Sequence, residues 1–159
     1  RHLLALALLL PFSAGATPPA AVVPESEAQA VEVAPAQRVR MVTTMGEIVI
    51  ELDAAAAPRT VENFLAYARE GHYNGTVFHR VVPGLLVQGG GFTPDLQPKP
   101  SRAPIPNEAG NGLLNRRGAI AAARDRGVVE SATTQFFINL ADNPNLDPSA
   151  GDSPYTAGY

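Results

Sequence analysis

The chain has 159 residues, enough for one domain and not two, with 45% hydrophobic and 17% charged residues and a formal net charge of −3. It has no long run of one sign and so lacks the clustered basic surface that phosphate backbones require, which argues against nucleic acid as a partner. Cysteine is absent, so thiolate zinc sites, cysteine nucleophiles, disulfides and a lipid-bearing cysteine are excluded, and no stable membrane anchor is expected.

In chain order, Arg1 and His2 precede an apolar run over residues 3–10, and Ala14-Gly15-Ala16 follows. A basic start, a short apolar core and a small-residue cleavage pattern predict a secretory signal peptide over residues 1–16, here without an initiator Met, and hence a periplasmic location. The run is shorter than the roughly 20 residues a membrane span needs; a buried N-terminal helix is the alternative. Residues 17–37 hold Pro18, Pro19, Pro24 and Pro35 without an apolar period, which predicts a flexible Pro/Ala-rich linker. The folded domain is expected over residues 38–159.

Within it, Val39, Met41 and Thr43 alternate with polar neighbours, as do Ile48, Ile50 and Leu52, around a turn at Met45-Gly46; this is a β-hairpin pattern. Residues 58–70 form the one clear amphipathic helix: Pro58 suits its first position, Val61, Phe64, Leu65 and Ala68 make an apolar stripe, and Gly71 stops it. Short strands follow over 76–82 and 85–88, around the Pro83-Gly84 turn, then over 118–124 and 135–140. Many short strands with Gly and Pro punctuation and little helix predict a mainly β barrel or sandwich, with the helix able to plug one end.

The usual hydrolytic constellations are missing. His72 and His79 lie in neither a G-x-S-x-G nor an H-E-x-x-H setting. His72 is expected at the surface or as a cap, and His79 as a hydrogen-bonded core residue. No third ligand at suitable spacing accompanies them, so no metal and no cofactor is expected. Gly89-Gly90-Gly91 lacks the Lys-Ser/Thr pair of a phosphate loop, and a bulge or close backbone approach accounts for it better. Asp125 and Glu130 flank a polar loop without the marks of a paired acid and base. Arg80 is unusual because it lies mid-strand among apolar residues. Alone it reads as a surface-facing strand arginine. Phe78, Arg80 and Val82 share a face, however; Gln88 ends the next strand, and Gln135 and Phe137 share a face of a later one while Phe136 points the other way. Together these could form an apolar pocket holding one guanidinium and two amides.

The blocks Phe78-His79-Arg80-Val81-Val82-Pro83-Gly84 and Gln88-Gly89-Gly90-Gly91-Phe92 closely resemble the cyclophilin signature. Thr133-Thr134-Gln135-Phe136-Phe137-Ile138-Asn139 resembles the family's second block, and Thr60-Val61-Glu62-Asn63-Phe64 its first helix. Asn107-Glu108 and the stretch from Gly112-Leu113 to Gly118-Ala119-Ile120-Ala121 resemble the bacterial periplasmic branch. The resemblance implies a closed antiparallel barrel of eight strands capped by helices, here ending before the last strands and second helix. It also implies peptidyl-prolyl cis–trans isomerisation of proline-containing unfolded or partly folded polypeptides, by a monomer. By the same resemblance Arg80 is catalytic and Gln88 supports it. Leu85 and Leu86 fall in the proline pocket, and Ala123 and Arg124 on the strand that pairs with substrate backbone. Gln135, Phe137, Leu146 and Tyr159 fall in the groove. Leu85 stands where the family usually has Phe. Asn145 stands where it has the Trp associated with cyclosporin binding. Both departures favour the alternative, a non-catalytic peptide-binding chaperone module on the same scaffold.

Overall fold

The computed structural model describes residues 37–149 and 157–159. The signal-peptide and linker expectations fall outside the described residues, except that Gln37 opens the first strand instead of closing the linker.

Strands β1 (Gln37–Thr43) and β2 (Gly46–Leu52) form an antiparallel two-stranded sheet, registered from Gln37↔Leu52 to Thr43↔Gly46. The two-residue turn is Thr44-Met45, one position before the expected one. Thr43 closes it: its hydroxyl donates to the Gly46 carbonyl (2.7 Å) and accepts from the Met45 amide (3.1 Å). Gly46 has a φ of +126°, which side-chain-bearing residues rarely adopt.

Helix α1 (Pro58–Arg69) buries Val61, Phe64 and Tyr67, so Tyr67 holds a core place that the expected stripe gave to Ala68. The helix has no side-chain cap of its own at Ala57. Instead Glu108 reaches across, accepting from the Arg59 amide (2.9 Å), the Thr60 amide (2.8 Å) and the Thr60 hydroxyl (2.7 Å). The first amides of a helix have no intrahelical partner and attract negative charge, so a carboxylate from a distant loop can do the work of a cap.

The second sheet has four strands, β3 (Arg80–Val82), β4 (Leu86–Gly89), β5 (Ile120–Ala122) and β6 (Phe136–Asn139), antiparallel throughout in the order β3-β4-β6-β5. These strands are shorter than expected, for backbone reasons. The Val77 amide donates to the Phe92 carbonyl instead of joining the ladder, so β3 begins at Arg80 and not at 76. Gly118 sits at φ +86°, which breaks the extended run before β5.

The core joins both sheets and the helix. Ile50 and Leu52 of β2, Val61 and Phe64 of α1 and Phe136 of β6 are buried together, with Phe78, Ile120 and Ile138 packed against them. Phe136 meets Phe64, Tyr73 and Phe78 edge-on, with ring centroids 5.7, 5.6 and 6.1 Å apart. Burying each such side chain contributes about 1.5–3 kcal/mol, and edge-on geometry adds roughly 0.5–1.5 kcal/mol per pair. The fold is thus mainly β, with one α-helix and two antiparallel sheets among the described residues.

His72 caps α1 as expected, its amide donating to the Tyr67 carbonyl at 3.0 Å, whereas His79 departs from expectation. The His72 ring is half-buried between Tyr67 and Tyr73, with Nε2 3.3 Å from the Gly90 carbonyl. Burial, reinforced by the nearby Lys99 and Arg102 charges, holds its pKa below the ordinary histidine value despite the opposing Gly90 contact. His79 lies edge-on to Phe92 at 4.5 Å, and its buried Nδ1 has no hydrogen-bond partner among the described residues.

Candidate active site

Cross-strand pairing builds the site. Residues paired across antiparallel strands share a face, and the register aligns Arg80 with Gln88, Gln88 with Phe137 and Phe137 with Ala121. Phe136, one residue away, faces the core, so the two adjacent phenylalanines serve opposite sides of the sheet. Arg80 is solvent-exposed but not loose: its Nη1 donates to Gln88 Oε1 at 3.1 Å. Gln88 Nε2 in turn donates to Gln135 Oε1 at 2.8 Å. The chain has a fixed sense, because a guanidinium only donates and so Gln88 must present its oxygen to Arg80 and its NH₂ to Gln135.

The glycine run makes room for this chain. A Cβ on Gly91 would lie 2.5 Å from Cγ of Gln135. One on Gly90 would lie 2.8 Å from Cε1 of Phe136 and 2.9 Å from the Thr134 carbonyl, on a backbone at φ +88°. The run is a close-approach device, as expected, and it packs against the segment 134–136 that holds Gln135 and leads into β6.

Beside the row opens a cleft of about 460 Å³, lined by Arg80, Arg124, Arg126, Gly127, Asn145, Leu146 and Tyr159. The Tyr159 ring stands edge-on to Phe137 at 5.5 Å, and the Arg124 guanidinium lies 4.6 Å above the Tyr159 ring. The Tyr159 amide donates to the Leu146 carbonyl at 3.1 Å, which joins the two residues of that wall. Arg124 also donates from Nη1 toward the carbonyls of Val128 (3.2 Å) and Val129 (3.3 Å). A second recess, about 500 Å³, is lined by core residues including Ile50, Phe64, Ile120 and Phe136; it reaches Gln135 and Tyr159 of the site but not Arg80, Gln88 or Phe137.

The structure therefore gathers Arg80, Gln88, Gln135 and Phe137 in one row, and Arg124, Leu146 and Tyr159 at the adjoining cleft. Ala123 follows β5, with its amide donating to the Gln135 carbonyl at 2.9 Å. Leu86 is buried on the same face, opposite Asn139. Leu85 stands outside the row, in the turn between β3 and β4. Sequence reasoning missed Arg126 and Gly127 of the cleft and the buried asparagines that continue from Leu86; an Asn closing an otherwise apolar strand at position 139 was the available signal. Among the described residues no group of three His, Asp or Glu side chains is placed to hold a metal ion.

Comparison with known proteins follows the same outline. The family described as cyclophilin type peptidyl-prolyl cis-trans isomerase/CLD matches residues 38–155. The chain is 54% identical over 121 residues to peptidyl-prolyl cis-trans isomerase cyp18 of Streptomyces antibioticus, covering 76% of this chain and 72% of that protein. It is 52% identical over 117 residues to peptidyl-prolyl cis-trans isomerase B of Escherichia coli, covering 74% and 70%. It is 50% identical over 117 residues to peptidyl-prolyl cis-trans isomerase A of Dickeya dadantii, covering 74% and 61%. A crystal structure of a Cryptosporidium parvum cyclophilin, determined in the presence of the dipeptide Ala-Pro, superposes with a TM-score of 0.63 at 30% identity, covering 70% of this chain and 72% of that one. The pairing that sets Arg80 against Gln88 thus lies in a chain that belongs to the cyclophilin-type peptidyl-prolyl cis–trans isomerase family.

Proposed function

We propose that this chain accelerates rotation about Xaa–Pro bonds in polypeptide substrates, without a covalent step or a cofactor, with Arg80 as the catalytic residue. The observation that carries the reading is the hydrogen-bonded chain Arg80–Gln88–Gln135 beside Phe137. Rotation is opposed by amide resonance, a barrier of roughly 18–20 kcal/mol. Twisting the bond removes the resonance, restores a lone pair on the prolyl nitrogen and leaves the group less polar. Apolar walls from Phe137 and Leu86 favour that twisted state over the planar one. A guanidinium N–H aimed at the nitrogen is rewarded only when the lone pair exists. Both effects are stronger in the transition state than in the ground state, as catalysis requires.

Magnitudes divide the labour. An acceleration of about 10⁵ needs about 7 kcal/mol, whereas one charge-assisted hydrogen bond supplies about 1.5–3 kcal/mol. Desolvation against Phe137 and clamping of the flanking peptide along Ala123, Arg124, Leu146 and Tyr159 make up the difference. Arg80→Ala is expected to remove most of the acceleration of a proline-limited refolding reaction while leaving the circular dichroism spectrum intact. An unchanged refolding rate overturns the assignment.

A peptide-binding module without useful catalysis is the second reading, favoured by Leu85 standing in the turn and by the exposed Asn145 at the cleft. NMR exchange spectroscopy on an Ala-Pro peptide separates the two, since binding without faster exchange selects the module. The reading extends to a closed barrel that includes both sheets, supported by the single core cluster spanning β2, α1 and β6. It also extends to a periplasmic location, supported by the apolar run over residues 3–10 and Ala14-Gly15-Ala16. N-terminal sequencing of the exported protein tests the latter, and an intact residue 1 on the mature chain refutes it.

A further inference from the structure

Opposite Leu86, at the end of the site's row, begins a buried run of side-chain amides that the mechanism above does not use. Asn139 closes β6 at 1% exposure, and Asn115 and Asn143 are each 4% exposed. Asn143 Nδ2 donates to the Leu85 carbonyl (3.0 Å) and to Asn139 Oδ1 (2.7 Å). Asn139 Nδ2 donates to Asn115 Oδ1 (3.1 Å) and to the Ala119 carbonyl (3.2 Å). Asn115 gives both its backbone amide (2.7 Å) and its Nδ2 (3.0 Å) to Asp147 Oδ1. The Leu140 amide also donates to the Leu85 carbonyl (2.8 Å), and the Asn143 amide to the Asn115 carbonyl (2.8 Å).

The sense of this run is fixed by its ends. The Asp147 carboxylate and the Leu85 carbonyl both only accept. Asn115 must therefore turn its NH₂ to Asp147 and its oxygen to Asn139. Asn139 then turns its own oxygen to Asn143, whose NH₂ remains for Leu85. A single arrangement gives every side-chain NH₂ of the run an acceptor. A buried polar network joined in this one sense selects one geometry where an apolar fill would tolerate several. What it fixes is informative. One end is the turn that joins β3, which carries Arg80, to β4, which carries Gln88. The other is the residue directly after Leu146, whose carbonyl holds Tyr159.

We infer that Asn139 and Asn143 are positioning residues for substrate binding: they tie the Arg80–Gln88 hairpin to the Leu146–Tyr159 wall and so set the width of the cleft. This rests on the isomerase reading of the site and adds a role for side chains that touch no substrate. The test uses the full chain with Asn143→Ala and Asn143→Thr, the latter returning one hydroxyl donor. Four quantities are read: the melting temperature, the dissociation constant of an Ala-Pro peptide by NMR titration, and kcat and KM for its isomerisation. At a temperature where circular dichroism shows the variants folded, Asn143→Ala is expected to raise KM and the dissociation constant about tenfold with kcat within about twofold, as loss of uniform binding requires. Asn143→Thr is expected to recover part of that loss. If Asn143→Ala does not fold, Asn143→Thr and Asp147→Asn decide the matter by the same readouts. A lowered melting temperature with unchanged KM and dissociation constant makes the network purely structural and overturns the inference. A wild-type chain that binds the peptide but accelerates nothing overturns the isomerase reading alone, because the dissociation constants still judge the positioning role. One that does not bind overturns both.

Discussion

Gln88→Leu isolates what the amide chain contributes to Arg80. The substitution keeps the approximate volume but removes the acceptor 3.1 Å from Arg80 Nη1 and the donor 2.8 Å from Gln135 Oε1. The guanidinium keeps its charge and, being exposed, stays hydrated, so what is lost is its orientation. Because water replaces Gln88 at the exposed guanidinium, the net loss is that of an ordinary solvent-exchanged bond, about 0.5–1.5 kcal/mol, which converts to a fall in kcat/KM of roughly 2- to 12-fold. Arg80→Ala should cost roughly 10- to 150-fold, since it deletes the charge-assisted bond itself. The decisive comparison is the double variant. If Gln88 acts only through Arg80, then Gln88→Leu costs nothing further once Arg80 is alanine, and the two losses fail to add. The assay is NMR line-shape or protease-coupled isomerisation of an Ala-Pro peptide with all four proteins at matched folded concentration. Additive losses would refute the orienting role and leave Gln88 as an independent contact.

Glu108→Gln should lower stability by about 1 kcal/mol at neutral pH, since it weakens the charged cap on α1, and a thermal melt reads this as a shift of roughly 3–5 °C. Partial burial pushes the Glu108 carboxyl up, but hydrogen bonds from the Arg59 amide, the Thr60 hydroxyl and the Thr60 amide, with the Arg59 charge, outweigh it and hold its pKa below the ordinary glutamate value. A depressed folded-state pKa stabilises above the unfolded-state value and loses that contribution as pH falls through the folded one. The wild-type advantage over the variant should therefore be full above about pH 5 and vanish on further acidification; a constant gap down to pH 3 contradicts the cap. Gly91→Ala should displace Gln135 and reduce kcat/KM about as much as Gln88→Leu does. Gly90→Ala, at φ +88° and against the Phe136 ring, should instead cost about 2 kcal/mol or more of stability; equal melting temperatures for the two variants would contradict this division.

Much of this was legible because the chain carries strong periodic signals. Alternation in 39–52 gave the hairpin, and the spacing of Val61 and Phe64 gave the helix, since a half-buried strand and an amphipathic helix write different periods into sequence. The opposed roles of Phe136 and Phe137 followed from the same alternation. Alternation also offered Arg80, Gln88, Gln135 and Phe137 as one possible pocket, but their roles came from the family resemblance, because register between segments 8 and 47 residues apart is not encoded in any local window. Strand ends were misread where a backbone amide found a partner outside the ladder, as at Val77. The amide network was not legible as a unit: Asn115 and Asn143 looked like loop residues, Asn139 was only a polar end to an apolar strand, and only the approach of 115, 139 and 143 in space joins them. His79 was misjudged because an aromatic neighbour, Phe92, took the place of the expected hydrogen bond.

The remote closure of α1 has a consequence for the order in which the chain can mature. Thr60 meets its carboxylate partner 48 residues later, and at about 5–20 residues per second a ribosome takes roughly 2–10 s to supply it. Throughout that interval the Arg59 and Thr60 amides have only water in place of Glu108, so the first turn lacks the contact that later closes it. Structure there is conditional on later translation, which keeps the emerging chain pliable until the loop that finishes it has been made.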